Sequence, residues 1–210
     1  MDEKSIALDI RDGMNVFERL VKRIFDFICS FLALILLSPV FLVVAFVLLC
    51  QGDGSVFFKQ ERIGYKGKPF NILKFRTMRA DSESNGEPRL AAVNDERLTK
   101  VGKFLREHHL DELPQLVNVL LGDMSFVGPR PERRYFIEKI RQENPNYDYL
   151  YMIRPGLTSM ATLHNGYTDT MEKMLKRLDM DLEYLQKRSL WLDMKLILTT
   201  FLFIVNGKKF

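Results

Sequence analysis

Asp111 and Glu112 stand side by side within HHLDELPQLVNVLLGDMSFVGPRPERR, His108 to Arg134, among many apolar neighbours. Adjacent residues on a helix point about 100° apart, so two neighbouring acids need not share a task. One could attack a phosphorus or hold a metal while the other orients a phosphate or moves a proton. A carboxylate nucleophile suits phosphoryl transfer, with a divalent cation to neutralise the oxygens. The competing reading is structural: Asp111 caps a helix over residues 111–121, Pro114 lies in its first turn, and Glu112 favours the positive helix end. Four cations could meet a phosphate. Lys74 and Arg76 share one face of an extended segment by the period of two, together with Phe70 and Ile72. Arg106 lies five residues before Asp111, so the chain must turn to bring them together. Arg130, between Pro129 and Pro131, is carried on a stiff backbone that suits a fixed contact.

The elements that must position these groups come from patterning. Val56 to Met78 reads as two strands joined by a turn at Gly64, Gly67 and Pro69. Ala80 to Glu96 is polar, with Gly and Pro, and reads as a loop. Leu98 to His109 has helical spacing, with Val101, Phe104, Leu105 and His108 on one side. Glu132 to Asn144 is a second helix that stops before Pro145. Met171 to Lys187 is a charged helix. Leu190 to Val205 is nearly all apolar but short for a membrane crossing and interrupted by Asp193 and Lys195, which suits a core or membrane-surface helix.

The 210 residues are 47% hydrophobic and 28% charged, which excludes a disordered chain and a polytopic one. A net charge of +4 suits a partner carrying phosphates. Nucleic acid is disfavoured, because the aromatics lie mostly in apolar runs and are not interleaved with basic residues. Cys29 and Cys50 read as buried small hydrophobes rather than a disulfide or metal pair, and the three histidines have no metal-ligand spacing.

The apolar run Ile24–Cys50 is long enough to cross a bilayer, and its default reading is a single span. Ser38-Pro39 near its middle argues for a sharp bend, because proline removes a backbone donor and a neighbouring serine can bond the freed carbonyl. Lys22 and Arg23 precede the run, and Lys59, Arg62, Lys66 and Lys68 follow it, which places both ends on one side of a membrane. A helix that bends at Ser38-Pro39 and returns satisfies both observations; a kinked span and a buried soluble helix are the alternatives.

With these residues in view, the chain resembles the small bacterial polyprenyl-phosphate phosphoglycosyl transferases, monotopic enzymes that begin glycan assembly on a lipid carrier. The resemblance covers about Phe17 to Thr200. It rests on KRIFDF (Lys22–Phe27), LSP (Leu37–Pro39), GSVFFKQERIGYKGKPF, KFRTM (Lys74–Met78), LREHHLDELPQLVNVLLGDMSFVGPRP, RPGLT (Arg154–Thr158) and SLWLDMKLILTT, all in order. The resemblance implies an α+β fold: a re-entrant membrane helix hairpin broken at Ser38 and Pro39, a small β-hairpin, and amphipathic surface helices around a compact catalytic domain. It implies an N-terminal extension over 1–16, the re-entrant helix over 17–52 and a cytoplasmic catalytic domain over 53–210. It implies that Asp111 is the nucleophile toward the β-phosphate of a UDP-sugar, releasing UMP. Undecaprenyl phosphate then takes the phosphosugar from Asp111, giving a polyprenyl-diphosphate-sugar. Glu112 matches the second acid, which positions or deprotonates the lipid phosphate. Magnesium is the expected metal, with Asp111 a ligand, and Lys74, Arg76, Arg106 and Arg130 match the basic positions near phosphate or uridine. The expected place is the cytoplasmic face of the bacterial inner membrane, among lipids, where apolar surface helices could pack into a homodimer.

Two stretches depart from the family pattern. Asp53-Gly54-Ser55 replaces Ser-x-Gly-Pro, and Thr158-Ser159-Met160-Ala161-Thr162 replaces Thr-Gly-x-Ala-Gln. Relative to larger members the chain reads as a minimal catalytic unit. The rival reading is an inactive membrane-anchored scaffold of a glycan-assembly complex.

Overall fold

The computed structural model describes residues 10–52, 54–79, 95–166 and 170–206. Helix α1 (Val16–Leu36) starts at Asn15, whose side chain accepts from the Glu18 N–H while the Glu18 carboxylate accepts from the Asn15 N–H. This reciprocal cap satisfies two amides that the first helical turn leaves open. Helix α2 (Ser38–Gln51) follows after a 60° bend. The bend has a local cause: Pro39 cannot donate to the carbonyl of Ile35, four residues back, and Ser38 Oγ donates to it instead at 2.8 Å. No single helix among the described residues is long and apolar enough to cross a membrane; the bent pair passes that test together.

Helix α1 is inside-out. Lys22, Asp26 and Ser30, four residues apart and so on one face, are buried, whereas Ile24, Phe27, Phe31, Leu32 and Ile35 are exposed. Lys22 forms a buried ion pair with Asp193 of helix α8 (Leu190–Val205), and Tyr184 donates to the same carboxylate at 2.6 Å. Arg23 donates to the carbonyls of Val119 and Leu120 at 2.7 and 2.9 Å. The two cations ahead of the apolar run, offered with four behind it as markers of membrane topology, are therefore spent on internal contacts. Ahead of α1, Asp12 receives two bonds from Arg188 at 2.6 and 2.7 Å, and Ile10 and Met14 are buried. Both thiols are free, and Cys50 is exposed rather than buried.

Strands β1 (Phe57–Ile63) and β2 (Pro69–Phe75) form an antiparallel hairpin, with Phe57 opposite Phe75 and Ile63 opposite Pro69. Its tip is a 3-10 turn over Tyr65–Gly67. The polar loop expected over Ala80–Glu96 lies, up to residue 94, outside the described residues. Helix α3 (Lys100–Glu107) begins at Thr99, which caps the Gly102 N–H at 2.9 Å. Gly102 rests on the Thr77 carbonyl so closely that a Cβ would lie 1.9 Å from it. That approach fixes the helix rotation. Leu105 is buried, while Phe104 and His108, expected on the same buried side, stack on each other at the surface.

Helix α4 (Gln115–Leu121) lies between α1 and β2. Buried Asn118 ties it to the strand: its Oδ1 accepts the Leu73 N–H at 3.0 Å and its Nδ2 donates to the Asn71 carbonyl at 2.8 Å. A side chain thus answers the open edge of β2. Strand β3 (Ser125–Val127) pairs in parallel with β4 (Gly156–Thr158) after a crossover through helix α5 (Arg134–Glu143) and a 3-10 segment, Pro145–Met152. The expected helix from Glu132 starts two residues later, because Glu132 is held extended by a bridge to Ile63. Helices α6 (Met160–His164) and α7 (Met171–Lys187) complete the main core, where Tyr184, Leu185, Leu178 and Ile140 are buried. In the departing Thr158–Thr162 stretch, Thr158 bonds Thr200 at 2.7 Å and Ser159 caps α6 through the Thr162 N–H at 2.9 Å. The fold is a mixed helical and sheet structure, in accord with the α+β expectation.

Asn118→Leu keeps most of the volume but strands a buried donor on Leu73 and an acceptor on Asn71. We expect a loss of about 2–4 kcal/mol, read as a lowered urea midpoint in detergent with the denaturant slope unchanged.

Candidate active site

The acid pair does not begin an α-helix. Leu110–Glu112 is a 3-10 turn, α4 starts only at Gln115, and Asp111 caps nothing. The correction has a local cause. His109 sits in the left-handed region, φ 55°, which turns the chain sharply after α3. The bonds that follow reach three residues back, from Leu113 N–H to the Leu110 carbonyl and from Leu116 N–H to that of Leu113. This is the turn that Arg106 requires: it brings α3 back beside the acids.

The two carboxylates receive different surroundings. Asp111 is 6% exposed. Burial raises its carboxyl, Glu112 adds to the rise, and Lys74 and Arg106 oppose it. Glu112 has a side chain 25% exposed and accepts from Lys74 Nζ at 2.6 Å, with Arg130 Nη2 at 4.0 Å. Burial alone would raise the Glu112 carboxyl; the cations Lys74 and Arg130 overcome it and hold it well below its ordinary value. One acid is therefore fixed as a charged anchor, and its neighbour is a buried carboxyl of raised basicity.

Of the cations named from sequence, Lys74, Arg106 and Arg130 surround the pair. Arg106 is steadied by its Nε donating to Thr77 Oγ1 at 3.1 Å. Lys74 and Arg76 are not used together. Strand β2 ends at Phe75, and Arg76 Nη2 donates to Ser55 Oγ at 2.6 Å, in a recess also lined by Leu48, Gln51 and Thr99. Of the departing Asp53-Gly54-Ser55, the first residue lies outside the described residues, and Ser55 receives this arginine.

Sequence reasoning missed Thr77, which orients Arg106, and His109, whose ring is half-buried near Glu112, Lys74 and Arg130. It also missed the charges behind Arg130. Glu132 is 5% exposed and receives Arg177 at 2.8 Å and Arg62 at 3.4 Å. A signal existed: Arg177 and Asp181 interrupt the apolar stripe Met174, Leu178, Leu182, Leu185 on α7.

Among the described residues no three or more His, Cys, Asp or Glu side chains cluster to hold a metal. Magnesium, however, is commonly bound by one or two carboxylates together with substrate phosphates and water. Asp111 is an oxygen donor of that kind, so the residues fit a cation shared with a phosphate ligand.

Chain-wide similarity places this geometry in a class. The family model described as bacterial sugar transferase matches residues 17–207. The chain belongs to that family. It is 44% identical over 197 residues to the UDP-glucose:undecaprenyl-phosphate glucose-1-phosphate transferase of Escherichia coli K12, covering 92% of this chain and 42% of the relative. A Caulobacter vibrioides protein of the same name is 41% identical over 197 residues, covering 93% and 70%. The exopolysaccharide production protein PSS of Rhizobium leguminosarum bv. phaseoli is 38% identical over 196 residues, covering 90% and 98%. The chain thus spans less than half the length of some relatives and nearly all of another.

Lys74→Met tests the anchor. A carboxyl held low contributes stability that is present above its ordinary value of 4.5 and lost as pH falls toward its folded value. We expect the variant to lose about 2 kcal/mol at pH 7, with the difference shrinking below pH 4.5, measured by urea unfolding across that range.

Proposed function

We propose that this chain moves a sugar phosphate from a UDP-sugar to undecaprenyl phosphate, as the initiating membrane step of capsule, O-antigen or glycoprotein glycan synthesis. The observation that carries the reading is the unequal acid pair. Asp111 is buried among phosphate-binding cations with its carboxyl raised, and Glu112 is locked to Lys74. Asp111 Oδ attacks the β-phosphorus of the donor, the bond from that phosphorus to the bridging oxygen breaks, and UMP leaves. An oxygen of the lipid phosphate then attacks the same phosphorus and frees Asp111. Lys74, Arg106 and Arg130 hold the phosphate oxygens as charge redistributes. Arg76, just past β2 in the recess lined by Leu48 and Gln51 of α2, meets a phosphate nearer the lipid. Glu112, held low by its cations, is a weak base, which favours the positioning role over proton removal. A magnesium ion bound through Asp111 and the donor diphosphate would neutralise oxygen charge.

The membrane placement belongs to the same proposal. Bent α1–α2 enters the cytoplasmic leaflet of the bacterial inner membrane and returns, leaving the catalytic part on the cytoplasmic face. The inverted helix α1 supports this, because its outward side is apolar and its inward side polar. So does α8, whose Trp191 is 79% exposed beside exposed Leu198 and Phe201. A soluble donor and a membrane-held acceptor then meet at headgroup level. The same apolar faces could join two copies.

The test is UMP release from a panel of UDP-sugars, with magnesium and detergent, with and without undecaprenyl phosphate. We expect release with at least one sugar, turnover only with lipid, and loss of at least about a thousandfold in Asp111→Asn. Turnover without lipid, beyond one UMP per chain, would indicate a hydrolase. Unchanged glycan assembly by Asp111→Asn in cells would indicate a scaffold.

A further inference from the structure

The short strap Pro129-Arg130-Pro131-Glu132 carries Arg130 between fixed points. On one side the Gly128 N–H donates to the Thr158 carbonyl at 3.1 Å, and the Pro129 carbonyl receives the Gly156 N–H at 2.9 Å. On the other side the Pro131 carbonyl receives Arg62 Nη1 at 3.3 Å, and the Glu132 carbonyl receives the Ile63 N–H at 3.0 Å. Strand β4 thus holds the first end of the strap and the close of β1 holds the second. Between them the Arg130 guanidinium reaches to 4.0 Å from Glu112 Oε1.

The second end carries a charged triad. Glu132 Oε1 receives Arg177 Nη2 of α7 at 2.8 Å, and Oε2 receives Arg62 Nη1 at 3.4 Å. Glu132 and Arg177 are buried, and Arg62 is half-buried. Burial would raise the Glu132 carboxyl; Arg177, Arg62 and Arg130 overcome it and hold it below its ordinary value. Arg62 Nη2 donates to Gln60 Oε1 at 2.7 Å, while its Nε is buried with no hydrogen-bond partner among the described residues. As a plain cross-link this is a poor device. Apolar residues of similar volume in place of such a triad are often neutral or stabilising. What the charges add is direction. Arg62 Nη1 touches the Pro131 carbonyl and the Glu132 carboxylate together, so one guanidinium orders main chain and side chain of the strap, and Arg177 fixes the same carboxylate from α7.

We propose that Arg62 and Arg177, acting through Glu132, are positioning residues for Arg130: they fix the second end of the strap so that its guanidinium stands beside Glu112 and the donor phosphates. The proposal rests on the reading of Arg130 as a phosphate contact. It gives α7 a part in the reaction from behind the strap.

Two variants test it on the full chain in detergent. The triple change Arg62→Met, Glu132→Leu and Arg177→Met removes all three charges at similar volume and is expected to keep or raise the urea midpoint. The Ile63 amide, bonded to the Glu132 carbonyl, reports on the strap by hydrogen–deuterium exchange. Its protection is expected to fall about ten- to a hundredfold in the triple variant. In the same variant kcat/KM for the UDP-sugar is expected to fall about tenfold or more. The triple change should add nothing on an Arg130→Ala background. A folded triple variant with wild-type Ile63 protection, or with wild-type kcat/KM, overturns the proposal. So does a loss of kcat/KM that adds fully to that of Arg130→Ala. Glu132→Gln keeps the shape and drops the charge, and it decides the matter where the triple variant does not fold. A fall of about threefold or more in both readouts supports the proposal, and wild-type values of either overturn it. If the wild type turns over no UDP-sugar, the functional reading fails, and Ile63 protection still decides whether the triad holds the strap.

Discussion

Two adjacent carboxylates in a poorly solvated turn cannot both carry charge unless a cation stands against one of them. At about 4 Å and an effective dielectric near 20, two like charges repel by about 4 kcal/mol. That is a large share of the stability of an ordinary domain. Lys74 answers the constraint, and much of the surrounding structure serves to place it. The hairpin gives Lys74 its strand, Asn118 clamps that strand to α4, and α4 follows directly from the acid turn. On the other side Gly102 lets α3 close on Thr77, which brings Arg106 back toward Asp111. The acids differ because the supports on their two sides differ.

A second theme is the inversion of polarity at the N-terminus. A soluble helix buries its apolar stripe; α1 buries Lys22, Asp26 and Ser30 and turns its hydrocarbon outward. Phe126 N–H donates to Asp26 at 3.1 Å, so the parallel pair of strands is anchored to this polar stripe as well. Helix α1 and the part that carries the acid pair therefore share buried bonds instead of a flexible joint. Arg23, capping the end of α4 from α1, extends the same connection toward the acid turn.

Legibility in the sequence followed the range of the forces involved. The break at Ser38-Pro39 was readable because its cause, a missing N–H and a nearby hydroxyl, is local. The hairpin and the bounds of α8 were readable for the same reason, from turn residues and an apolar run broken mainly by Asp193 and Lys195. The acid turn was misread as a helix, because nothing in the letters announces that His109 adopts a left-handed backbone. Period-two alternation placed Lys74 and Arg76 together, but the strand ends between them, and each finds a separate partner. The supports behind Arg130 were hidden most deeply. Arg62, Glu132 and Arg177 lie far apart along the chain and meet only once β3, β4 and α7 have assembled.

The bond between Lys22 and Asp193 spans 171 residues, and that between Asp12 and Arg188 spans 176. Ribosomes add about 5–20 residues per second, so Lys22 is made on the order of ten to thirty seconds before Asp193 exists. Throughout that interval α1 has neither its polar partner nor, unless it has reached lipid, any cover for its apolar side. Helix α1 is thus closed by α8, the last of the described helices. A bilayer reached early would shelter one face of α1, and only the synthesis of α8 supplies Asp193 to the other.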